Sequence, residues 1–294
     1  MDSTLFHKSL ADTALHKLKQ AILDNVLGAL AEDIGSDNSS NDYTAQLIPK
    51  NQQASATIIC RQTAVICGLA WAQECFIQLD KAISIKWQIQ EGDTVVPDQM
   101  IARITGNARA MLGAERCALN FLQTLSATAT ETRRFVDAVK GCKCSILDTR
   151  KTLPGLRLAQ KYAVLVGGGR NQRLGLYDGI LIKENHIAAA GGIRQALAQA
   201  QQINQHIPVQ IEVENLQDLL IAIESGATSI LLDNFSNPDL AEAVKLNQGR
   251  AVLEASGGID IDNVRNVALT GVDRISIGHL TKDIQAIDLS MRFE

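Results

Sequence analysis

The densest group of charged side chains in the 294-residue sequence lies between Arg150 and Lys183, where seven residues are basic and one is acidic. This segment has a formal charge of +6 in a chain whose total is −4. A solvated basic face is the preferred interpretation for Lys161 and Arg170. Arg150, Lys151 and Lys183 instead follow apolar, strand-like runs, and cations at strand ends predict a pocket that binds an anionic substrate. The seven basic residues are Arg150, Lys151, Arg157, Lys161, Arg170, Arg173 and Lys183.

Two carboxylates, Glu212 and Asp233, end further aliphatic runs of the same kind. A buried strand does not normally tolerate a carboxylate, so each needs a partner or a chemical role. Salt bridges to the nearby basic residues are one interpretation. Coordination of Mg²⁺ or of ribose hydroxyls is the other, because hard cations take oxygen ligands from carboxylates and substrate phosphates. Both roles can hold at once.

Glycine-containing loops follow the last two strand-like runs, at Ser256-Gly257-Gly258 and at Gly278-His279. Paired loops of this kind bind phosphate in (β/α) barrels through backbone N–H groups. His279 alone is more typical of a hydrogen-bonded loop histidine than of a catalyst. A third loop, Gly167–Arg173, matches neither GxGxxG nor a P-loop. It could be a surface hinge, but its place between two basic strand ends favours a loop that closes over a ligand.

A repeated unit after Gly141 would bring these strand ends together. Short aliphatic runs that end in charged, polar or glycine residues occur six times, and the last four are 20 to 22 residues apart. This spacing fits the strand, loop and helix of a βα unit in a parallel barrel or sheet, whose sites lie at the carboxyl ends of the strands. The six segments are 145–151, 180–185, 209–215, 230–234, 252–258 and 275–279.

The sequence before Gly141 has a different pattern. Residues 1 to about 30 predict an amphipathic helix, and residues 32–41 predict a loop. A mixed antiparallel region and then a long helix over Ala110–Val139 follow. The predicted strands of that region are Ala54–Cys60, Thr63–Cys67, Ile83–Ile89 and Met100–Ile104.

Composition excludes several classes of protein. A net charge of −4 argues against a nucleic-acid binder, which needs a surplus of basic residues. No apolar run approaches the roughly 18 residues that span a bilayer, and the N-terminus has no signal-peptide pattern. The six cysteines have no zinc-site spacing, so we expect reduced thiols in a cytoplasmic protein without nucleic-acid or membrane partners.

Several motifs resemble those of the quinolinate phosphoribosyltransferase family, also called nicotinate-nucleotide pyrophosphorylases. The most specific is LDTRKTLPGLR at Leu147–Arg157. The resemblance covers nearly the whole chain, from Asn41 to Phe293. The other motifs are Glu115–Phe121, Lys161–Ala163, Gly167–Gly169, Leu181–His186 and Leu231–Phe235.

The resemblance implies an α/β fold of the type II phosphoribosyltransferases. An N-terminal open α/β sandwich would occupy residues 1–125, with residues 283–294 packing back on it, and a C-terminal (β/α) barrel of about six strands would occupy residues 126–282. The implied reaction joins quinolinate and phosphoribosyl pyrophosphate, with Mg²⁺ as cofactor, and gives nicotinate mononucleotide, CO₂ and pyrophosphate in de novo NAD biosynthesis. A homodimer whose active sites are completed across the interface is also implied.

The same resemblance assigns roles to individual residues. Arg116 of the neighbouring subunit would bind quinolinate, and Lys151, Glu212 and Asp233 would be catalytic. Glu212 and Asp233 would also hold Mg²⁺, directly or indirectly. The other quinolinate ligands would be Thr149, Arg150, Lys151, Gln172 and Arg173. The ligands of phosphoribosyl pyrophosphate would be Lys183, Glu212, Asp233, Ser256, Gly257, Gly258, Gly278, His279 and Thr281.

Two positions depart from the family pattern. Gln172 stands where the family usually has histidine, and Gln can donate a hydrogen bond but cannot carry charge. We therefore expect quinolinate to bind more weakly, or with less dependence on pH. His279 stands where small or apolar residues are usual, and we expect it to supply some of the missing cationic character.

Two other functions fit the residue pattern less well. A phosphoribosyltransferase for a monocarboxylate such as nicotinate would scarcely need the three guanidinium groups of Arg116, Arg150 and Arg173. A phosphosugar-binding barrel that senses without reacting would gain nothing from Glu212 and Asp233.

Overall fold

The computed structural model describes residues 12–35 and 42–294, and these fall into two compact units. The first unit takes in the chain up to Glu131 together with Leu153–Gly167 and Asp283–Glu294. The second takes in Thr132–Thr152 and Gly168–Lys282. The first change of unit therefore lies six residues beyond the predicted boundary, and segment 153–167 lies with the first unit.

An antiparallel sheet and a set of helices form the first unit. The sheet order is β12-β1-β5-β3, and β2 pairs separately with β4. The helices are α1 (Asp12–Ile34), α2 (Leu69–Leu79), the first part of α3 (Ala108–Ala138) and α4 (Arg157–Val166), with a 3-10 helix at Ala45–Leu47. The strands are β1 (Gln53–Cys60), β2 (Ala64–Val65), β3 (Ser84–Trp87), β4 (Thr94–Val95), β5 (Gln99–Asn107) and β12 (Leu289–Phe293).

Helical and strand periodicity place the apolar side chains of this unit in one core. Leu18, Ile22, Val26 and Leu30 of α1 are buried at helical spacing, as the sequence predicts. The helix continues to Ile34, so the prediction of a loop from residue 32 is wrong at its start. Residues 1–11 and 36–41 lie outside the described part of the chain.

The second unit contains a parallel sheet of six strands in the described residues, in the order β6-β11-β10-β9-β8-β7. This arrangement is consistent with the predicted (β/α) barrel and confirms its strand number. The strands are β6 (Ser145–Leu147), β7 (Ile180–Ile182), β8 (Val209–Val213), β9 (Ser229–Asp233), β10 (Val252–Ser256) and β11 (Arg274–Ser276). The helices besides the end of α3 are α5 (Glu184–Ala190), α6 (Ile193–Ile203), α7 (Leu216–Glu224), α8 (Asn237–Asn247), α9 (Val264–Leu269) and α10 (His279–Lys282).

Capping residues turn the chain from strand to helix at the carboxyl edge of this sheet. The Asn215 side chain accepts a hydrogen bond from the Asp218 N–H and starts α7, and Ser236 does the same for α8. Gly257 has a φ of 97°, and a Cβ there would lie 2.1 Å from the side-chain oxygen of Asn234. The close approach of these two loops therefore requires glycine at position 257.

Candidate active site

A cavity of about 300 Å³ opens at the carboxyl ends of the strands in the second unit. Charged and polar side chains at or beside the ends of all six strands converge on it, which is where parallel α/β folds place their sites. Its lining residues are Thr149, Arg150, Lys151, Gln172, Arg173, Leu181, Lys183, Glu212, Leu231, Asp233, Glu254, Ser256 and Ser276. The structure thus brings together nine of the residues that the sequence singled out.

Two guanidinium groups of the cavity lining, those of Arg150 and Arg173, lie close enough for their charges to interact. Arg173 donates a hydrogen bond to the Gly179 carbonyl over 2.9 Å, which fixes the direction of its side chain. Partial burial and the nearby charge of Arg150 lower the pKa of Arg173, against an opposing effect of Asp178. Like charges held together in this way form a site for an anion, and two guanidinium forks match the geometry of carboxylates.

Acidic side chains also line the cavity. Glu212, on β8, is buried and pairs with Lys183, which directly follows β7. Burial raises the pKa of Glu212, the bond from Lys183 lowers it, and the charge of Asp233 raises it. Asp233 ends β9 and accepts a hydrogen bond from the Asn234 side chain over 2.8 Å. The two carboxylates therefore lie close enough for their charges to interact.

The loop that carries Arg173 is tied down by two further carboxylates. Asp148, which is fully buried, accepts hydrogen bonds from the Asn171 side chain (2.6 Å) and from the Gln172 N–H (2.8 Å). Asp178 accepts from the backbone N–H groups of residues 174 and 175, over 2.7 and 2.9 Å. The glycine-rich loop is consequently anchored at its end next to the cavity.

Both the nitrogen and the oxygen of the Gln172 side-chain amide form hydrogen bonds with other protein groups. Its Nε2 donates to Gln210 Oε1 over 2.6 Å and lies 3.5 Å from Glu254 Oε1. Its Oε1 accepts from the Arg173 N–H over 2.6 Å. Gln210 in turn donates from Nε2 to Glu254 Oε2 over 2.9 Å.

The predicted phosphate-binding residues are only partly in this cavity. Gly257 and Gly258 line a separate cavity of about 240 Å³ beside the start of α8. Gly278 packs against the Lys151 side chain, and Thr281 donates from Oγ1 to the Lys151 carbonyl over 2.7 Å. The ring of His279 packs on buried Phe135, with the ring centroids 5.0 Å apart.

Arg116 belongs to the first unit, on α3. It lines a cavity of about 460 Å³ there, together with acidic Asp24, Glu32 and Asp33. The geometry of one chain therefore leaves the predicted role of Arg116 in a neighbouring active site as a prediction.

Sequence reasoning missed three side chains that shape the cavity or its loop. Glu254 is a fully buried carboxylate in the middle of β10, and the argument applied to Glu212 would have found it. Asp148 lies within the recognised motif but received no role. Ser276 lines the cavity, and among the described residues nothing forms a hydrogen bond with its buried Oγ. No sequence signal distinguishes this serine from others.

The described residues include no group of three or more His, Cys, Asp or Glu side chains that could hold a metal ion. Two carboxylates are nevertheless enough for Mg²⁺ when substrate phosphates and water supply the other ligands, so Glu212 and Asp233 fit this ion. None of the helices in the described part of the chain is long and apolar enough to cross a membrane.

Comparisons with known families cover almost the entire described chain. Residues 42–126 match the profile of the quinolinate phosphoribosyl transferase N-terminal domain, and residues 128–292 match that of the C-terminal domain.

Individual relatives agree with these profiles. A tobacco (Nicotiana tabacum) protein named quinolinate phosphoribosyltransferase (decarboxylating) 2b, mitochondrial, is 37% identical over 286 residues, which cover 90% of this chain and 80% of that protein. A Bacillus subtilis protein named "probable nicotinate-nucleotide pyrophosphorylase (carboxylating)" is 40% identical over 261 residues, which cover 88% of this chain and 89% of that protein. The structure of the nicotinate-nucleotide pyrophosphorylase from Francisella tularensis is 44% identical, with a TM-score of 0.90 over 94% of this chain and 97% of that chain.

Proposed function

The chain belongs to the quinolinate phosphoribosyltransferase family, and from this premise we propose that it is the decarboxylating enzyme of de novo NAD biosynthesis. It transfers the phosphoribosyl group of phosphoribosyl pyrophosphate to quinolinate and releases nicotinate mononucleotide, CO₂ and pyrophosphate. The observation that carries the proposal is that a single cavity is lined both by the Arg150–Arg173 pair and by the carboxylates of Glu212 and Asp233.

The guanidinium groups of Arg150 and Arg173 suit the two adjacent carboxylates of quinolinate. Each guanidinium can donate two parallel hydrogen bonds to one carboxylate, and the mutual repulsion of the two groups is relieved when a dianion binds. Thr149 and Lys151, which neighbour Arg150 in the chain, also line the cavity and complete the proposed quinolinate site. The arrangement favours a dicarboxylate over nicotinate, which has a single carboxylate for the two guanidinium groups.

The carboxylates suit the other half of the reaction. The quinolinate nitrogen attacks the anomeric carbon of the ribose as the bond from that carbon to the pyrophosphate oxygen breaks. Positive charge develops on the ribose, and the carboxylate of Glu212 or Asp233 stabilises it. Lys183 neutralises charge on the departing pyrophosphate. The carboxylate next to the ring nitrogen then leaves as CO₂, and its electron pair stays on the ring carbon beside the cationic nitrogen until that carbon is protonated.

The 5-phosphate of the substrate is proposed to bind at the glycine-containing loops. Ser256 lines the main cavity, while Gly257 and Gly258 line the cavity beside it. Thr281 contributes indirectly in this proposal, through its hydrogen bond to the Lys151 carbonyl. The ring of His279 packs on Phe135, so its contribution to the phosphate comes from its backbone N–H at the start of α10.

Mg²⁺ is the proposed cofactor, with Asp233 and Glu212 as its protein ligands. When bound it would neutralise charge on the pyrophosphate. Both oxygens of Glu212 already contact Lys183, so Asp233 is the better placed of the two carboxylates.

A homodimer with shared sites, in which Arg116 of the neighbouring subunit binds quinolinate, also belongs to the proposal. The compartment is proposed to be the cytoplasm. Each of the six cysteines is a free thiol, which is the usual state in a reducing compartment.

Release of CO₂ tests this function directly. Quinolinate labelled in its 2-carboxyl group, incubated with the protein, phosphoribosyl pyrophosphate and Mg²⁺, should give labelled CO₂ and nicotinate mononucleotide in equal amounts. Omission of phosphoribosyl pyrophosphate should abolish both products. If nicotinate is consumed and quinolinate is not, the protein is a phosphoribosyltransferase of different specificity.

A further inference from the structure

We propose that Gln172, Gln210 and Glu254 form a positioning cluster that holds Arg173 in place for the dicarboxylate, and that the Gln172 amide does not itself bind the substrate. The inference rests on the proposed function, because it concerns how quinolinate is held. It also revises the prediction that Gln172 is a direct quinolinate ligand.

The neighbours of Gln172 determine the orientation of its amide. The Arg173 N–H can only donate a hydrogen bond, so the Gln172 atom that faces it, 2.6 Å away, is Oε1. Nε2 must then face Gln210 and Glu254. This orientation suits the Glu254 carboxylate, which accepts hydrogen bonds and cannot donate them when ionised. Gln210 donates to Glu254 from its own Nε2 and so offers Oε1 to Gln172. Each side-chain amide nitrogen of the cluster therefore faces an acceptor oxygen.

In this arrangement the amide nitrogen of Gln172 faces acceptors of the protein. Gln210 Oε1 lies 2.6 Å from it and Glu254 Oε1 lies 3.5 Å from it. A substrate carboxylate would have to displace one of these acceptors while lying near the fully buried carboxylate of Glu254. Charge repulsion and the loss of an existing hydrogen bond both oppose that contact.

The cluster instead connects the sheet to the loop that carries Arg173. Gln210 lies on β8 and Glu254 on β10, so the two outer members are parts of the rigid sheet. Gln172 connects these two residues to the backbone N–H of Arg173, which donates to Gln172 Oε1. The guanidinium of Arg173 is held separately, because it donates a hydrogen bond to the Gly179 carbonyl. The backbone and side chain of Arg173 are thus held from two directions.

Gln210 separates the two possible roles of Gln172. It is buried and does not line the cavity, so its loss removes no substrate contact. If Gln172 acts through the cluster, Gln210→Ala and Gln172→Ala should each raise the KM for quinolinate, by about tenfold for the loss of hydrogen bonds of this kind. The KM for phosphoribosyl pyrophosphate should change less than twofold. The double variant should be no worse than the poorer single variant, because both changes break the same connection.

Hydrogen–deuterium exchange of the folded protein gives a readout that does not depend on activity. Gln210→Ala should speed amide exchange in the peptide that spans residues 167–179. Asn247→Ala is the matched control, since Asn247 is also a buried amide of this unit, bonded to the N–H and carbonyl of Ala251 at the other end of β10. It should lower the melting temperature without changing exchange in 167–179 or the KM for quinolinate. Gln172→Ala, on the half-buried loop, keeps the test available if Gln210→Ala folds poorly.

Each outcome is decisive. Unchanged exchange in 167–179 for both single variants overturns the cluster, as do additive effects of the two substitutions on KM. Faster exchange in Gln210→Ala alongside a wild-type protein that releases no CO₂ would refute the proposed function and leave the anchoring of the loop established.

Discussion

The Lys183 ammonium lies 3.2 Å from one carboxylate oxygen of Glu212 and 3.1 Å from the other. Lys183 directly follows β7 and Glu212 lies on the neighbouring β8, so parallel pairing of these strands creates the contact. Glu212 is largely buried while Lys183 is half-exposed, which leaves the ammonium accessible to an anionic substrate. The pair therefore keeps a carboxylate charged beside the place where positive charge would develop.

The pH profile should report the ionisation of Glu212. Burial and the charge of Asp233 raise its pKa, so activity should fall as the pH drops through a value above that of an ordinary glutamate. Glu184 also raises this pKa. Glu184→Gln should therefore move the acid limb of the kcat/KM profile to lower pH without altering the cavity. Asp233→Asn should move this limb further, measured on the residual activity of that variant. Asn185→Ala is the control, and a limb that moves upward in Glu184→Gln would contradict the assignment.

The guanidinium pair should determine the affinity for quinolinate. Arg173→Ala should raise the KM for quinolinate about 10- to 100-fold, the expected cost of a lost charge-assisted hydrogen bond, and Arg150→Ala should reduce turnover to background. Both variants should remain folded, because the change relieves repulsion between like charges. Arg170→Ala removes an exposed cation from the same loop and serves as the control. Normal quinolinate turnover by Arg150→Ala would show that the site is wrongly placed.

Several charged residues of the site could be predicted from the sequence because their positions depend on local pattern alone. Short aliphatic runs 20 to 22 residues apart predict parallel strands, and whatever follows each run must lie at one edge of the sheet. Glu212 and Asp233 belong to runs with this spacing, and Lys183 ends an earlier aliphatic run of the same kind.

Other features depend on which strands are neighbours, and sequence spacing does not give that. In the register of the sheet, Glu254 of β10 and Glu212 of β8 are both paired with Leu231 of β9. This register places Glu254 at the cavity. The pairing of β12 with β1 joins residues more than 200 positions apart. Segment 153–167 continues directly from the DTRKT motif, yet Tyr162 and Ala163 of α4 pack in the core of the first unit.

Mixed dimers test whether active sites are shared. If Arg116 acts in the neighbouring subunit, Arg116→Ala and Lys183→Ala are each inactive, but a mixed dimer contains one site with both residues intact. An equimolar mixture, refolded or coexpressed, should recover about one quarter of the wild-type activity by random pairing. Each variant taken alone through the same procedure is the control. Absence of recovery in dimers shown to be mixed would refute the cross-subunit role.

Glu91 should make stability depend on pH. Burial raises its pKa to about 7, although the Gly68 and Leu69 N–H groups donate to its two oxygens. A glutamate in the unfolded chain has a pKa of about 4.3, so the native state binds more protons between these values. Stability should therefore fall as the pH rises from about 4 to about 7, by at most about 1.4 kcal/mol per pH unit from this group.

Urea unfolding at a series of pH values measures this effect. Glu91→Gln should lose that part of the slope, whereas Glu74→Gln, which alters a helix-surface bond to Gln78, should keep it. Equal slopes for the wild type and Glu91→Gln would contradict the prediction.

A histidine at position 172 should make quinolinate binding depend on pH, whereas the natural glutamine should not. In Gln172→His the imidazole would lie near the Glu254 carboxylate, which raises its pKa, and near Arg173, which lowers it. Titration should still fall in the range of about pH 5 to 8. Below the imidazole pKa the added cation should lower the KM for the dicarboxylate relative to its value at high pH. Gln172→Asn has the same uncharged chemistry as the natural residue and should show no such trend, so KM profiles that coincide for the two variants would show that charge at this position does not reach the substrate.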